Sequence, residues 1–532
     1  MARILDLPDI QGNIVRGYGG SFPKASYVCV HFDDPEAGRR FVERMLPRVT
    51  TAVRWASNQS YHGERSVPKP PVCVNIAFSF LGLLALRLPT ATLSAMPPEF
   101  IDGMARRAGM LGDDCAQWDA VWRPRESSGE VHALITLSAQ IDPKTAEPVP
   151  ELAQARAWIA DLCHELDGQV RILGGHGRGT LGEALEASAL FGRNDQGDFT
   201  PLPIEHFGLT DGFGDPVFDG QYPKEEEAEA AIGRGKTVDG RSWQPIATGE
   251  FLLGYPDEAQ EVPPAAMPYK LTRNGTFMVM RKLHENVAAF HDYMARTGRA
   301  YAAITGVGQD DAEAFITAKM VGRWPDGIPT AAAPTIEKWH AFQAHDADVR
   351  RSRDAAAIRK LDQSYIDFTY RADPGGLGCP VTAHIRRANT RDALDPTGSA
   401  PEEKQRRGSV LNNRRRLLRR GLPYGAAEAT PTDAAEHGVV FIAICASIFR
   451  QFEFVQQQWM QYGLDFGAGS DSCPIVGNHG DGAKFVIPGN AQTGPFFCAN
   501  LPQFIESRGG EYFFVPSLTG LRMIGMGTVD PT

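Results

Sequence analysis

The chain has 532 residues, of which 42% are hydrophobic and 22% charged, a composition typical of a globular protein that can bury a substantial core. Its 54 basic and 64 acidic residues give a net charge of −10, which argues against nucleic acid as a partner because phosphate binding needs a basic surface. The sequence shows no signal-peptide pattern and no apolar run long enough to span a bilayer. We therefore expect a cytoplasmic protein with no membrane partner.

The first third of the chain alternates strand-like and helix-like patterns. Period-two or continuously apolar segments predict strands at residues 25–32, 72–78, 130–138 and 170–173. Helical spacing of apolar residues predicts helices at residues 35–49, 80–88 and 151–166. The order strand, helix, strand, then strand, helix, strand is that of a ferredoxin-like antiparallel sheet.

The later part of the chain repeats this theme. Strands are predicted at residues 276–283, 439–445 and 512–516, and helices at 286–297, 311–321 and 448–460. The simplest interpretation of the two series is a pair of α+β domains of related design. We place the first domain at residues 1–240 and the second at residues 241–532. Residues 331–405 are charged and rich in proline and glycine, which predicts a long irregular segment that serves or covers a site.

One histidine stands out by its setting. His384 lies in GCPVTAHIRRANTR, residues 378–391, after a Cys-Pro punctuation and directly before several arginines. A haem iron held by one histidine needs a neutral imidazole nitrogen, and arginines such as Arg386 and Arg391 suit the two haem propionates. From these residues alone, a structural histidine is also an acceptable interpretation.

Two further segments carry charged residues in unusual surroundings. Asp211 lies in HFGLTDGFGDP, residues 206–216, where Gly208 and Gly212 would let the backbone pass close to a flat cofactor, although a plain turn fits the pattern too. In RRRLLRRGLPYG, residues 414–425, we expect residues 414–416 to be solvated. The two leucines that follow turn inward, so Arg419 or Arg420 should become buried and need a partner.

A rival pattern is GRGTLG at residues 177–182, which matches the GxGxxG of dinucleotide-binding loops. The fingerprint also needs an acid about 20 residues further on, at the end of a second parallel strand. Asp195 and Asp198 lie closer than that, and the segment between is short for a crossover helix. A glycine-rich turn is therefore the preferred interpretation, and a nucleotide-dependent oxidoreductase is kept as an alternative.

These segments together resemble the dye-decolorising peroxidase family, in its longer C/D-type form. GLTDG at 208–212 matches the GxxDG signature of the family, AHIR at 383–386 its haem-ligand segment, and LRRGLPYG at 418–425 its distal-arginine segment. DIQGNI at 9–14, QFEFVQQQW at 451–459 and GGEYFFVP at 509–516 resemble its opening, late helix and final strand. Six collinear motifs are far more specific than any one of them.

The resemblance implies two ferredoxin-like domains of the dimeric α+β barrel type, with one haem b per chain between antiparallel sheets. It implies His384 as axial ligand, Asp211 as distal acid and base, and Arg419 as distal arginine, with Arg420 as the alternative. Cofactor contacts are implied for the residues Gly208, Gly212, Arg386, Val439, Phe441 and Asp471. Asp471 or Asp465 would orient the axial imidazole through its second nitrogen.

The implied activity is a peroxidase that uses hydrogen peroxide to oxidise dyes, phenolics or other one-electron donors. A carboxylate base stays ionised well below the pKa of histidine, so activity is expected to be favoured at acidic pH. The alternative is a haem-binding protein for storage, sensing or iron release, which would share His384 but would not need Asp211 with Arg419. We expect a monomer or a homodimer.

Overall fold

The protein is described by a computed structural model that covers residues 5–56, 67–123, 130–177, 182–238, 242–262, 265–394, 410–426, 430–489 and 494–527. The GxGxxG pattern at 177–182, on which the nucleotide alternative depends, falls largely on residues 178–181, outside the described residues.

The N-terminal part of the chain builds an antiparallel sheet. Its strands are β1 Lys24–Phe32, β2 Val72–Phe78, β3 Ala133–Ala139, β4 Val170–Leu173 and β5 Leu185–Ser188. The spatial order is β2-β3-β1-β4, and β5 pairs with the other end of β1. All four strands predicted here are confirmed, because their apolar residues are buried as the pattern requires.

The C-terminal part contributes a second set of antiparallel strands. Two hairpins precede it in the chain, formed by β6 Leu190–Arg193 with β7 Phe199–Leu202 and by β8 Lys236–Val238 with β9 Ser242–Gln244. The sheet strands are β10 Thr276–Glu285, β11 Leu418–Arg419, β12 Leu422–Tyr424, β13 Gly438–Cys445 and β16 Ile505–Val515, with a hairpin of β14 Lys484–Ile487 and β15 Phe496–Ala499. The order β11-β13-β10-β16 continues into β2 through a single pairing of Phe514 with Phe78.

Helices cover this sheet. Those of the N-terminal part are α1 Gly12–Val15, α2 Pro35–Met45, α3 Phe80–Ala85, α4 Thr90–Ser94, α5 Pro98–Leu111, α6 Pro150–Glu165 and α7 Lys224–Ala230. Those of the C-terminal part are α8 Tyr269–Thr272, α9 Val287–Thr305, α10 Gln309–Val321, α11 Ile336–Ser352, α12 Ala355–Ser364, α13 His384–Ala388, α14 Val410–Asn413 and α15 Leu518–Met526. The late helix predicted at 448–460 is present as two π-helical segments, Ile448–Glu453 and Val455–Met460.

Local sequence explains why these elements begin where they do. Asp34 caps α2, since its carboxylate accepts from the backbone N–H groups of Glu36 and Ala37, and Pro35 occupies the first helical position, where no N–H is needed. The α+β class predicted from the sequence is confirmed. The division at residues 240 and 241 stays a prediction.

The prediction of an irregular segment at 331–405 is wrong for much of its length, because α11 and α12 lie there. Helix α11 has no fully buried residue, so it lacks the apolar stripe by which helices are recognised in a sequence. The sequence feature that could have predicted α11 is its N-cap, because the side chain of Thr335 accepts from the backbone N–H of Lys338. Asp354 caps α12 in the same way. Within the described ranges, no helix is both long and apolar enough to cross a membrane.

Candidate active site

A cavity of about 310 Å³ opens between the C-terminal strands and the loop at residues 205–216. Alternate residues of β10, and Val439 and Phe441 of β13, form one wall, as expected for side chains that share one face of a sheet. Much of the lining is apolar: Leu209, Phe213, Leu283, Val321, Ile385, Leu417, Val439, Phe441, Phe452, Val455, Met460 and Ile475. Such a space suits a largely apolar, flat ligand held by a few polar groups.

Asp211 and Arg419 form an ion pair on the wall of this cavity. Arg419 Nη1 donates to Asp211 Oδ1 at 2.7 Å, and Arg419 Nη2 donates to the carbonyl of Phe213 at 3.0 Å. The Asp211 side chain is 58% exposed and that of Arg419 38% exposed, and both line the cavity. The surrounding protein partly desolvates Asp211 and so raises its pKa, but the charge and hydrogen bond of Arg419 outweigh this effect, and the net pKa lies below the ordinary value.

The two arginines that the sequence left open are separated by the structure. Arg419 faces Asp211, whereas Arg420 donates to Asp215 Oδ2 at 2.8 Å and to the backbone carbonyls of Asn13 and Ile14. Neighbouring residues of an extended segment point in opposite directions, so only one of the pair reaches the cavity. The geometry therefore favours Arg419 as the arginine of the site.

Glycines shape the loop that carries Asp211. Gly208 has a φ of +80° and Gly212 a φ of +88°, in the left-handed region that residues with a side chain rarely adopt. Neither is among the residues that line the cavity, and Gly214 is. The structure thus gives Gly208 and Gly212 the task of turning the chain on both sides of Asp211, in place of the direct cofactor contact that was predicted.

His384 is the first residue of α13 and lines the same cavity. Its Nδ1 lies 3.3 Å from Sγ of Cys473, a fully buried cysteine, so Nε2 is the ring nitrogen left for a metal. Burial lowers the pKa of His384, but the charge and hydrogen bond of Cys473 raise it above the ordinary value overall. Burial likewise raises the pKa of the Cys473 thiol, while His384 and Arg387 lower it to a net value of about 7.

The prediction that Asp471 or Asp465 orients the imidazole is wrong. Asp471 accepts from Lys484 Nζ at 2.8 Å, and Asp465 accepts from the indole N–H of Trp459 at 2.9 Å. Both carboxylates are thus engaged elsewhere, and the sulfur of Cys473 takes the expected place. The expectation that the second ring nitrogen of an axial histidine has a partner is met, but the prediction considered only carboxylates as that partner and therefore omitted Cys473.

Arg386 also departs from its predicted role. Its side chain is buried, donates to the backbone carbonyls of Cys379 and Asp373, and is not part of the cavity lining. It therefore fixes the loop before α13 and does not face a cofactor.

Four other arginines line the cavity, and one of them, Arg281, is paired with Asp113. The remaining three are Arg323, Arg391 and Arg416. Within the described residues, the side chains of these three arginines donate hydrogen bonds to backbone carbonyls and not to carboxylates. Burial lowers the pKa of Arg416 to about 9, with Arg391 adding to the effect, and lowers that of Arg323 to about 10. Arg416 was expected to be solvated and is buried instead, because the chain already turns inward at this residue.

This donor set fits a haem. A single imidazole can hold the iron, the apolar walls suit the porphyrin, and buried guanidinium groups that bond to no carboxylate in the described part of the chain match its two propionates. Anionic propionates would offset the cost of burying these three cations.

The Cys473 contact gives a direct test of this arrangement. We expect Cys473→Ala to weaken haem affinity by about 10- to 100-fold, since partners of a metal-bound histidine fix its tautomer and ring orientation. Haem titration followed by absorbance measures the effect. Cys498→Ala is the matched control, because Cys498 is equally buried but has no contact with His384. Equal affinities for the two variants would contradict this role of Cys473.

Comparison with known proteins bears on the whole chain. Residues 9–172 match the family model described as the DyP dimeric alpha+beta barrel domain. A dye-decolorizing peroxidase of Mycena epipterygia is 26% identical, covering 98% of this chain and 87% of that protein, and AauDyP1 of Auricularia auricula-judae is 25% identical with the same coverage. The chain is thus similar to dye-decolorising peroxidases over nearly its whole length. Because the domain match ends at residue 172, His384 and Arg419 are covered by the full-length relatives alone.

Solved structures agree in fold. A fungal DyP-type peroxidase from Auricularia auricula-judae superposes with a TM-score of 0.70 at 22% identity, covering 98% of this chain and 100% of the other. A dye-decolorizing peroxidase complex with 2,6-dimethoxyphenol gives 0.69 at 23% identity, with the same coverage. At this identity the likeness supports the two-part antiparallel architecture seen here.

Proposed function

We propose that the protein is a haem-dependent peroxidase that uses hydrogen peroxide to oxidise dyes, phenolics or other one-electron donors. The observation that carries this proposal is the Asp211–Arg419 ion pair on the wall of the cavity that His384 also lines. The relatives named dye-decolorizing peroxidases, and the neighbour solved with a phenol, support the same activity and substrate class.

The proposed cofactor is one haem b per chain, held by His384 and by the guanidinium groups of Arg323, Arg391 and Arg416. When bound, haem would supply an iron that reduces peroxide and then accepts electrons from the donor molecules. The cytoplasmic location and the monomeric or homodimeric state stay predictions from the sequence.

The protein's own residues handle the proton and the charge. Asp211 is held ionised by Arg419, so it can take a proton from one oxygen of hydrogen peroxide and return it to the other, directly or through one water. Arg419 stabilises the negative charge that develops on the departing oxygen as the O–O bond breaks. Val439 and Phe441 add apolar surface to the same cavity.

The deciding experiment is haem loading followed by a peroxidase assay. We expect wild-type protein to develop a strong Soret band on haem addition and to oxidise a phenol with hydrogen peroxide. His384→Ala should lose that haem binding or weaken it greatly, since it removes the sole iron ligand proposed. His340→Ala is the control, because His340 lies half exposed beside Asp311, away from the cavity.

Two results would count against the proposal. Absence of a Soret band in loaded wild-type protein would refute haem binding altogether. Stable haem binding without any peroxide-driven oxidation would instead favour the storage or sensing alternative, in which the Asp211–Arg419 pair has no catalytic task.

A further inference from the structure

A buried and a half-buried glutamate meet at the edge of the cavity. Glu285 is the last residue of β10 and is 2% exposed, and Glu205 belongs to the loop that carries Asp211. Both line the cavity, and their carboxyl groups are hydrogen-bonded to each other. Neither takes part in the proton transfer described above.

The surrounding contacts show where the proton lies. Glu205 Oε2 accepts from the backbone N–H of Phe207 at 2.6 Å, and Oε1 accepts from that of Leu209 at 3.0 Å, so both oxygens act as acceptors. Two carboxylates cannot hydrogen-bond to each other unless one holds a proton. Glu285 is therefore the protonated member, and its Oε2 has no other partner among the described residues.

Glu205 organises the turn that leads to Asp211. Its side chain accepts two backbone N–H groups of the turn, while its own backbone N–H donates to the Leu209 carbonyl at 3.2 Å and its carbonyl accepts from Gly208 N at 2.9 Å. Two residues after Leu209, the chain reaches Asp211. The bond to Glu285 thus ties this compact turn to a strand of the sheet.

We propose that Glu205 and Glu285 share one proton, and that this proton holds the turn carrying Asp211 in place against β10. The two glutamates are positioning residues in this scheme. When the shared proton leaves, two like charges face each other in a buried site, and their repulsion loosens the turn and displaces Asp211 from Arg419. The consequence for activity rests on the proposed function; the consequence for stability does not.

The charged neighbours of the pair favour retention of the proton. Burial raises the pKa of Glu205 to about 7, and burial together with Glu205 raises that of Glu285 well above its ordinary value. Asp211, on the same turn, adds negative charge that raises both. Arg419 is also near the pair, but its guanidinium group is paired with Asp211. Other polar and titratable groups nearby are Tyr424 on β12, His206 and His437 on the flanking loops, and Glu506 on β16.

The test uses Glu285→Gln, whose amide can donate the same hydrogen bond at every pH but holds no titratable proton. A carboxyl whose folded-state pKa is raised stabilises the protein at acidic pH and loses that contribution as pH rises, here from about 4.3 through the raised pKa of Glu285, which holds the shared proton. We therefore expect the thermal midpoint of haem-free wild-type protein to fall across this window. The fall should be smaller in Glu285→Gln.

The activity of the loaded enzyme gives the second measurement. We expect the wild-type rate with peroxide to fall about tenfold per pH unit beyond its alkaline midpoint, and Glu285→Gln to keep its acid-pH rate to higher pH. Glu511→Gln is the matched control. Glu511 is another half-buried glutamate whose pKa is raised to about 7 by its partial burial, but it accepts from the backbone N–H groups of Met104 and Tyr512 and does not line the cavity. It should flatten the stability profile and leave the alkaline limb of activity unchanged.

The outcomes separate the ideas. Stability profiles of Glu285→Gln and wild type that fall equally would refute the shared proton. A flattened stability profile with an unchanged alkaline limb would refute the positioning of Asp211.

If no form shows peroxidase activity, the proposed function fails, and the haem-free stability profile still decides on the shared proton. If Glu285→Gln does not fold, protonated-carboxyl infrared absorbance at neutral pH that is lower in Glu205→Gln than in wild type supports the pair, and equal absorbance in the two proteins overturns it.

Discussion

Replacing Asp211 with asparagine is expected to lower kcat/KM for hydrogen peroxide by about 100- to 10,000-fold, the range typical for loss of a general acid and base. The amide has nearly the same shape and can still contact Arg419, but it cannot take up a proton from peroxide. His384 and the cavity arginines are untouched, so the Soret band should remain. Stopped-flow measurement of the peroxide reaction, at equal haem content, gives the rate directly.

The pH dependence of the same reaction identifies the group that acts. Because Arg419 holds the pKa of Asp211 below its ordinary value, the wild-type rate should persist in acid and fall only below about pH 3.9. Asp211→Asn should lack this acid limb. Asp219→Asn is the control, since Asp219 is an exposed carboxylate of the same segment that does not line the cavity. A wild-type rate seen only above neutral pH would rule out Asp211 as the base.

The second large effect is expected on the free energy of unfolding, and it concerns a buried lysine of the sheet. Lys282 of β10 is 1% exposed, and its ammonium donates to Asp119 Oδ2 at 2.6 Å, to Glu436 Oε2 at 3.1 Å and to the His176 carbonyl. Burial raises the pKa of Asp119, and the Lys282 charge opposes that rise. Asp119→Ala should lower the free energy of unfolding by about 3–5 kcal/mol, because it leaves a buried cation short of its main counter-ion.

Urea denaturation of the haem-free protein measures this loss. An exposed ion pair, Arg351 with Asp348, supplies the comparison, and Asp348→Asn should produce no measurable change. A similar small effect for Asp119→Ala would show that water reaches Lys282 and that the pair is not buried in solution.

Local patterns were enough to predict much of the framework. The strands around Val30, Ile76 and Ile444 are strongly apolar over whole segments, and such segments have few alternatives to a buried strand. His384, Asp211 and Arg419 could be named because their motifs occur in a fixed order along the chain. Helix α11 was missed since its exposed faces carry no apolar period, although its cap at Thr335 was readable.

The partners of these residues were decided by tertiary structure. Cys473 lies beside His384, and Glu285 beside Glu205, across large separations in sequence, and no local period relates such pairs. Whether Arg416 is solvated or faces the cavity depends on where the chain turns after β9 and before β11. The sequence by itself determined which side chains this protein has for binding a haem and moving a proton. Only the folded chain determined which atoms meet, since burial and hydrogen bonding are settled by packing between distant segments.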